Sequence, residues 1–283
     1  MKITANAKIN LTLDITGKRP DGYHDLETVM QSISLSDTLT MERIAEPEIK
    51  LTCSKEGIPT DSRNTVYKAA EKLLSYAGIK DEGVSIYIEK EVPSEAGLGG
   101  GSADAAAALR GIKELFDIEI PDSELYNIAR SIGADVPFCL HEGTCLCEGI
   151  GEKMTELKPL PDCVILISKP PVGVSTGRAY AETDSHPQLD NFDTPAMLKA
   201  IESEDIAEIS KAVGNRFDFV LQVPEVQEIK KIMLANGALC SCMSGSGSSV
   251  FGIFTDNDTA EKAKQALTAK GENFICKLVN NLQ

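Results

Sequence analysis

The chain of 283 residues has no tryptophan, three histidines and only 5% aromatic residues. With no His-Glu-x-x-His pair, a histidine-based metal site has no support. No run of about 18 apolar residues occurs, which excludes a hydrophobic spanning helix. The opening MKITANAKIN lacks the apolar stretch of a secretory signal, so the cytoplasm is the expected location. Positive charge is scarce: 28 Lys and Arg stand against 43 Asp and Glu, a formal net charge of −15. Neither half is basic, so the footprint of nucleic-acid binding is missing. An anionic ligand must then be held by a few local cations and by backbone N–H groups. The eight cysteines, at 53, 139, 145, 147, 163, 240, 242 and 276, form no Cys-x-x-Cys. Their two Cys-x-Cys pairs lack partners at zinc spacing, so reduced thiols packed as small hydrophobes are expected.

What is present is ordinary globular composition, 42% hydrophobic and 25% charged, in a length that suits one or two domains. Residues 2–15 alternate without a break, with Ile3, Ala5, Ala7, Ile9, Leu11, Leu13 and Ile15 on one face. That pattern predicts a half-buried strand, followed by a turn over GKRPDG. Short strands are expected at Ile49–Cys53 and Val84–Ile88, and a helix from Val66 to Ala77 with Asn64 as its N-cap. Further helices follow the glycine cluster at 97–101 and run through Leu125 to Ile132, the latter stopped by Gly133. After a Pro-punctuated junction at 158–161 comes a buried strand, CVILIS. Helices are then expected from Pro195, over 205–213 and from Val226 to Gly237. A strand, the loop MSGSGSS, a strand VFGIF, a helix over 259–270 stopped by Gly271 and a strand FICKLV complete the chain. Mixed elements without repeats give an α+β class in two lobes.

The strongest chemical signal is PSEAGLGGGSADAAAAL, Pro93 to Leu109. A glycine run that opens directly into a helix lets the backbone approach a ligand and adds the free N–H groups and positive dipole end of a helix start. Together these make a phosphate cradle, to which Ser102 adds a hydroxyl. It is neither a Walker A loop nor a Gly-x-Gly-x-x-Gly turn. Asp135, in IGADVPF, is placed to take a proton from a hydroxyl or merely to shape a turn. Lys8 and Asn10 share the polar face of the first strand, where a lysine is usually just solvated. Tyr23 and His24, in DGYH after that strand, either stack on and read a base or only pack. SGSGSSVFGIF is a second glycine loop, a phosphate lid or a plain connection.

Taken together, AKINLTL (7–13), PSEAGLGGGSA (93–103) and MSGSGSSVF (243–251) resemble the three motifs of the GHMP small-molecule kinase superfamily, in its order and over nearly the whole chain. DGYH, GLGGGSADA and GADVPF resemble those members whose substrate carries cytidine diphosphate. The resemblance implies an N-terminal ribosomal-protein-like domain over 1–157 and a C-terminal ferredoxin-like domain over 158–283, with the active site in the cleft between. It implies ATP and Mg²⁺ as cofactors and phosphorylation of the 2-hydroxyl of 4-diphosphocytidyl-2-C-methyl-D-erythritol in non-mevalonate isoprenoid synthesis. Its catalytic positions match Lys8 and Asp135, with Lys8 keeping Asp135 ionised. Nucleotide-binding positions match Pro93, Gly97, Leu98, Gly99, Gly100, Gly101, Ser102 and Ala103, with Lys90 and Asn64 near the adenosine. Substrate-binding positions match Asn10, Tyr23, His24, Thr176 and Tyr180, the two tyrosines sandwiching the cytosine from separate lobes. The magnesium ligands are unassigned. The implied partner is the small-molecule substrate, with no nucleic acid and no membrane, for a monomer or weak homodimer. Homoserine or a mevalonate-type alcohol as acceptor is the runner-up, disfavoured by DGYH and Tyr180. A nucleotide sensor without chemistry is disfavoured by the presence of both Lys8 and Asp135. An RNA-binding relative is disfavoured by the acidic balance.

Overall fold

A computed structural model describes residues 1–186, 192–270 and 275–282. Its elements run β1 (Lys2–Lys18), β2 (His24–Ile44), β3 (Ile49–Cys53), α1 (Thr65–Tyr76), β4 (Gly83–Glu89), α2 (Gly100–Leu115), α3 (Asp122–Ile132) and α4 (Val136–His141). Then come β5 (Thr144–Gly149), β6 (Lys153–Glu156), β7 (Val164–Lys169), α5 (Thr176–Asp184), α6 (Thr194–Ser203) and α7 (Ile206–Ala212). The rest is β8 (Gly214–Asn215), α8 (Arg216–Leu221), α9 (Pro224–Ala235), β9 (Cys240–Met243), β10 (Val250–Phe254), α10 (Asn257–Thr268) and β11 (Ile275–Asn280). They form two compact units, each discontinuous in sequence: Met1–Ala7, Leu35–Ser94 and Gly99–His141 make the first, and Lys8–Ser34, Glu95–Leu98 and Glu142–Gln283 the second. The sequence division after residue 157 follows the chain, whereas these units follow contact.

In the first unit β4 pairs antiparallel with the second half of β2, Thr38 opposite Glu89 and Ile44 opposite Gly83. It also pairs in parallel with β3, Ile49 opposite Val84. A parallel pair needs a crossover, and α1 supplies it. Asn64 caps α1 as expected, its side-chain oxygen accepting from Val66 N–H at 2.8 Å. The buried face of α1 is Val66, Ala69, Ala70, Leu73 and Leu74, and it packs on α2. Every side chain of α2 from Ala103 to Leu109 is buried. Small alanines let α2 sit among α1, α3 and α4 at close range. A Cβ on Gly111 would stand 2.5 Å from Met41 Sδ, so the same helix also lies close on β2. Gly133 ends α3 in an extended conformation (φ −176°), not the left-handed turn expected of a C-terminal glycine. Asp135 lies in a short turn with Ala134, as expected, but the turn opens at once into α4, which contains Pro137, and the Asp135 carbonyl accepts from Cys139 N–H at 3.0 Å.

In the second unit the first half of β2 pairs with β5, Leu26 opposite Gly149, and β5 pairs with β6. β1 lies between β2 and β8, with Thr12 opposite Gly214. β1 is buried on both faces from Ala7 to Asp14, so the half-buried strand expected from its alternation is corrected. A second sheet runs β11-β7-β10-β9, all antiparallel. The strand-strand-helix-strand order expected over 238–279 appears as β9, β10, α10 and β11. Leu166, Val226, Ile229, Met233, Phe254, Ala263 and Leu267 belong to one core cluster with the strands and helices of this unit. The expected stop at Gly271, and Phe274 at the head of the last strand, lie outside the described residues. All eight cysteines are free thiols, and burial pushes Cys145 and Cys163 up to about 12, which leaves them inert. No helix among the described residues is long and apolar enough to cross a membrane.

Phe254 has no exposed surface in that cluster. Phe254→Ala is expected to cost about 3–5 kcal/mol through lost transfer and an unfilled cavity. Urea unfolding with an unchanged m-value reads this; a cost within error of zero would place Phe254 outside the core.

Candidate functional site

In the first unit the glycine run becomes a helix start. Gly99 takes the left-handed conformation (φ 68°, ψ 17°) that a side chain disfavours, and α2 begins at the next residue. The Ser102 and Ala103 N–H groups both bond to Gly99 O, at 2.9 and 2.8 Å. A helix start leaves the Gly100 and Gly101 N–H groups without intrahelical partners, as an anion cradle requires. A Cβ on Gly101 would meet only Thr65 Oγ1, at 3.6 Å. One on Gly100 would press on Val92 at 3.0 Å and lie 3.5 Å from Lys90 Nζ. A large side chain at 100 therefore disturbs the protein interior. Pro93 and Ala103 are buried on either side of the run, while Ser102 is half-buried and its hydroxyl bonds to nothing described.

Beneath this helix start lies a charge cluster. The Lys90 ammonium sits 2.5 Å from Asp37 Oδ2 and 2.7 Å from Asp104 Oδ2. Asp37 Oδ1 accepts from the Glu91 and Val92 N–H groups at 2.6 and 2.8 Å, which fixes the exit of the chain from β4. Asp104 Oδ1 is buried with no partner. Burial, against the pull of Lys90 and with the push of Asp37, raises the Asp104 carboxyl to about 7. Burial opposes the Lys90 charge, but the two carboxylates outweigh it and hold the ammonium above its ordinary value. Lys90 is thus a buried counter-ion tying β2 to α2, and Asn64 is engaged as a cap that also donates to Pro59 O. Asp37 and Asp104 were not singled out from the sequence. A lone acid inside the alanine-rich GSADAAAAL is the signal that marks Asp104.

The second unit gathers the other motifs around Gly97. Its φ is +73°, and a Cβ there would lie 2.0 Å from the carbonyl oxygen of Ser244. The Ser244 hydroxyl donates to Gly97 O at 2.9 Å and accepts from Asn10 N–H at 3.3 Å. Ser249 N–H donates to Ala96 O, and Lys8 N–H to the carbonyl of buried Leu98. Lys8 is 4% exposed and Asn10 1%, so the solvated-lysine reading is corrected. The Lys8 ammonium donates to Asn10 Oδ1 at 2.7 Å, and the Asn10 amide donates to Thr28 Oγ1 at 2.8 Å. Asn215, the N-cap of α8, donates to Met243 O and Gly245 O at 2.7 and 2.8 Å and so shapes the Gly/Ser loop. Thr176 Oγ1 lies 3.0 Å from Ser246 Oγ of that loop.

The tyrosines depart from expectation. Tyr23 and Tyr180 belong to the same unit, not to one lobe each. Tyr180 stacks on His24 with ring centroids 4.7 Å apart and meets the edge of Phe217 at 5.1 Å. Tyr23 is 62% exposed. His24 is the first residue of β2 rather than part of the turn, and its Nε2 lies 2.7 Å from Asp184 Oδ1. Asp184 ends the helix that carries Thr176 and Tyr180, four residues beyond the tyrosine.

Against this geometry, comparison with known proteins gives one picture. The model of the GHMP kinases N terminal domain matches residues 64–143, and that of the GHMP kinases C terminal domain matches 197–273. Beyond that class, a protein of Caldicellulosiruptor bescii named 4-diphosphocytidyl-2-C-methyl-D-erythritol kinase is 47% identical over 94% of both chains. One of the same name from Caldicellulosiruptor saccharolyticus is 48% identical, covering 94% of this chain and 92% of that one. A crystal structure of 4-(cytidine 5'-diphospho)-2C-methyl-D-erythritol kinase covers 100% of both chains at 32% identity, with a TM-score of 0.84. The chain belongs to the GHMP kinases, and among these small-molecule kinases to the 4-diphosphocytidyl-2-C-methyl-D-erythritol kinase family.

The Asp104 carboxyl gives a pH signature. Its folded value lies above its ordinary 3.8, so the folded state holds a proton that the unfolded state releases. That stabilisation is complete below about pH 4 and is lost as pH rises through about 7. Asp104→Asn, which cannot titrate, is expected to gain stability relative to the parent as pH goes from 5 to 8. Denaturant unfolding at both pH values checks it; a constant difference removes the shifted carboxyl.

Proposed function

We propose that the chain transfers the γ-phosphoryl group of ATP to the 2-hydroxyl of 4-diphosphocytidyl-2-C-methyl-D-erythritol, releasing ADP and the 2-phosphate. The observation that carries this reading is the near full-length match, at 47% identity, to relatives named for that substrate. Phosphoryl transfer asks chiefly for positioning and neutralisation of charge. On this reading the Gly100 and Gly101 N–H groups and the dipole of α2 receive the phosphates, which suits a chain of net charge −15. Pro93 and Gly97 to Ala103 form the loop, and Asn64 and Lys90 shape its adenosine side. Asp135 accepts the proton of the acceptor hydroxyl. Lys8, buried and bonded to Asn10, stabilises charge on the group in transfer. Asn10, Tyr23, His24, Thr176 and Tyr180 hold the cytidyl substrate.

Among the described residues no three His, Cys, Asp or Glu side chains group as a metal set. A magnesium ion brought with ATP would draw most of its ligands from phosphate and water, and the Ser102 hydroxyl, which bonds to no described residue, would be the protein group to hold it. Such an ion supplies neutralisation of phosphate charge. The division into 1–157, with Lys8, Asp135 and the phosphate loop, and 158–283 belongs to this reading, and the two matched family domains fall on either side of it.

The test is ADP release with 4-diphosphocytidyl-2-C-methyl-D-erythritol, homoserine and mevalonate in parallel. Turnover is expected with the first alone; turnover with another in its place overturns the reading. Asp135→Asn is expected to lower kcat by roughly 10²–10⁴ while leaving ATP affinity nearly intact. An Asn variant with the parent's kcat removes Asp135 from the chemistry.

A further inference from the structure

Helix α5 presents Thr176, Tyr180 and Asp184 at four-residue spacing, which places them along one face. Two of the three meet one imidazole. Tyr180 stacks on the His24 ring at 4.7 Å and an interplanar angle of 20°, and Asp184 Oδ1 stands 2.7 Å from its Nε2. The other Asp184 oxygen is 2.5 Å from the Lys18 ammonium, so both oxygens of the carboxylate are committed. The His24 side chain is 8% exposed and that of Asp184 34%. His24 Nδ1 bonds to no described residue and is not among the buried atoms left unpaired, so it keeps access to solvent.

A carboxylate only accepts hydrogen bonds. A neutral imidazole bonded to one therefore carries its hydrogen on Nε2 and leaves Nδ1 as a lone-pair acceptor. The Lys18 ammonium, and then the His24 bond, hold the Asp184 carboxyl below the usual carboxylate range, so it remains an acceptor. Stacking on Tyr180, itself braced by the edge of Phe217, fixes the plane of the ring. A pyrimidine offers a ring held this way one of two edges. Cytosine carries an amino donor at position 4, whereas uracil carries a carbonyl acceptor there.

We propose that Asp184 is a positioning residue for base selection, locking the His24 tautomer so that Nδ1 accepts from the amino group of cytosine and opposes the carbonyl of uracil. The proposal rests on the reading that His24 meets the base of the cytidyl substrate. It adds Asp184, whose two oxygens are engaged by His24 and Lys18, and the tautomer as the source of discrimination. The fourfold spacing from Tyr180 is what draws a side chain at 184 to the same ring.

The experiment compares the parent, Asp184→Asn, Asp184→Glu and His24→Ala. KM and kcat are measured for 4-diphosphocytidyl-2-C-methyl-D-erythritol, its uridine counterpart and ATP. Imidazole ¹⁵N shifts are recorded at about pH 8.5, above the ordinary imidazole range. With three histidines in the chain the resonances are assignable by substitution. The parent is expected to show the Nε2–H tautomer and to prefer cytidine. In Asp184→Asn the amide can donate to Nε2, moving the hydrogen to Nδ1. The cytidine preference is then expected to shrink by roughly ten- to a hundredfold, through KM, as for a single lost base-edge contact. ATP KM stays level, and Asp184→Glu recovers much of the preference. An unchanged tautomer and preference in Asp184→Asn overturns the proposal, as does equal damage to all three substrates with a lowered melting temperature. His24→Ala separates the two claims. If it erases the preference while Asp184→Asn does not, only the positioning role falls; if it leaves the preference intact, the reading of His24 falls as well.

Discussion

Gly97 faces the backbone of Ser244 with no room for a side chain, and the second unit is arranged around that approach. The close packing brings the glycine run at Gly97, the Gly/Ser loop and β1 onto one hydroxyl, that of Ser244. From β1 the same chain of bonds passes through Asn10 to Lys8 and to Thr28. Lys8 therefore does not hang from a strand surface. Its ammonium is buried and held by an amide whose other end is itself held, which is how a long flexible side chain acquires one position. Asn215, donating to two carbonyls of the Gly/Ser loop, closes the arrangement from the other side.

The acidic composition sets the second constraint. With few cations to spend, the chain places several where carboxylates already compensate them: Lys90 between Asp37 and Asp104, and Arg216 against Asp14. Buried ion pairs of this kind are seldom net stabilising, and breaking one partner is costly. Their evident service is geometric. Lys90 pins the start of α2 to β2, and Arg216 pins α8 to β1 while Asp14 also accepts from Phe192 N–H. On the proposed reading, phosphate recognition is left to backbone N–H groups, which carry no charge that needs compensation.

Much of this was legible in the sequence, for definite reasons. The glycine run before an alanine-rich helix is a local signal, as is Asn64 as a cap, and both appear as read. The order β9, β10, α10, β11 follows from periodicity. β2 went unread although Ile33, Leu35, Leu39 and Met41 alternate with Ser and Thr from Ser32 to Met41, the one break being Asp37, and β5 and β6 are short. α5 and α8 went unread although Ser175 and Asn215 cap them, because polar residues dominate the first and the second has six residues. Around the candidate site, the short-range relation of Lys8 and Asn10 on one strand was legible, but the long-range pairings were not. Lys90 meets partners 53 and 14 residues away, and His24 meets one 160 residues away, separations that only the folded chain resolves.

On the proposed reading, Gly97 is the point where structure and activity depend on the same atoms, and Gly101 a point where they separate. A Cβ at 97 strikes backbone at 2.0 Å under a positive φ, whereas one at 101 makes ordinary contact at 3.6 Å. The most direct measurement is a melting curve and an ADP-release rate for Gly97→Ala beside Gly101→Ala. Gly97→Ala should lose more than about 1 kcal/mol of stability together with most of its turnover, while Gly101→Ala keeps its melting temperature. A Gly97→Ala protein that melts and turns over like the parent would contradict the account.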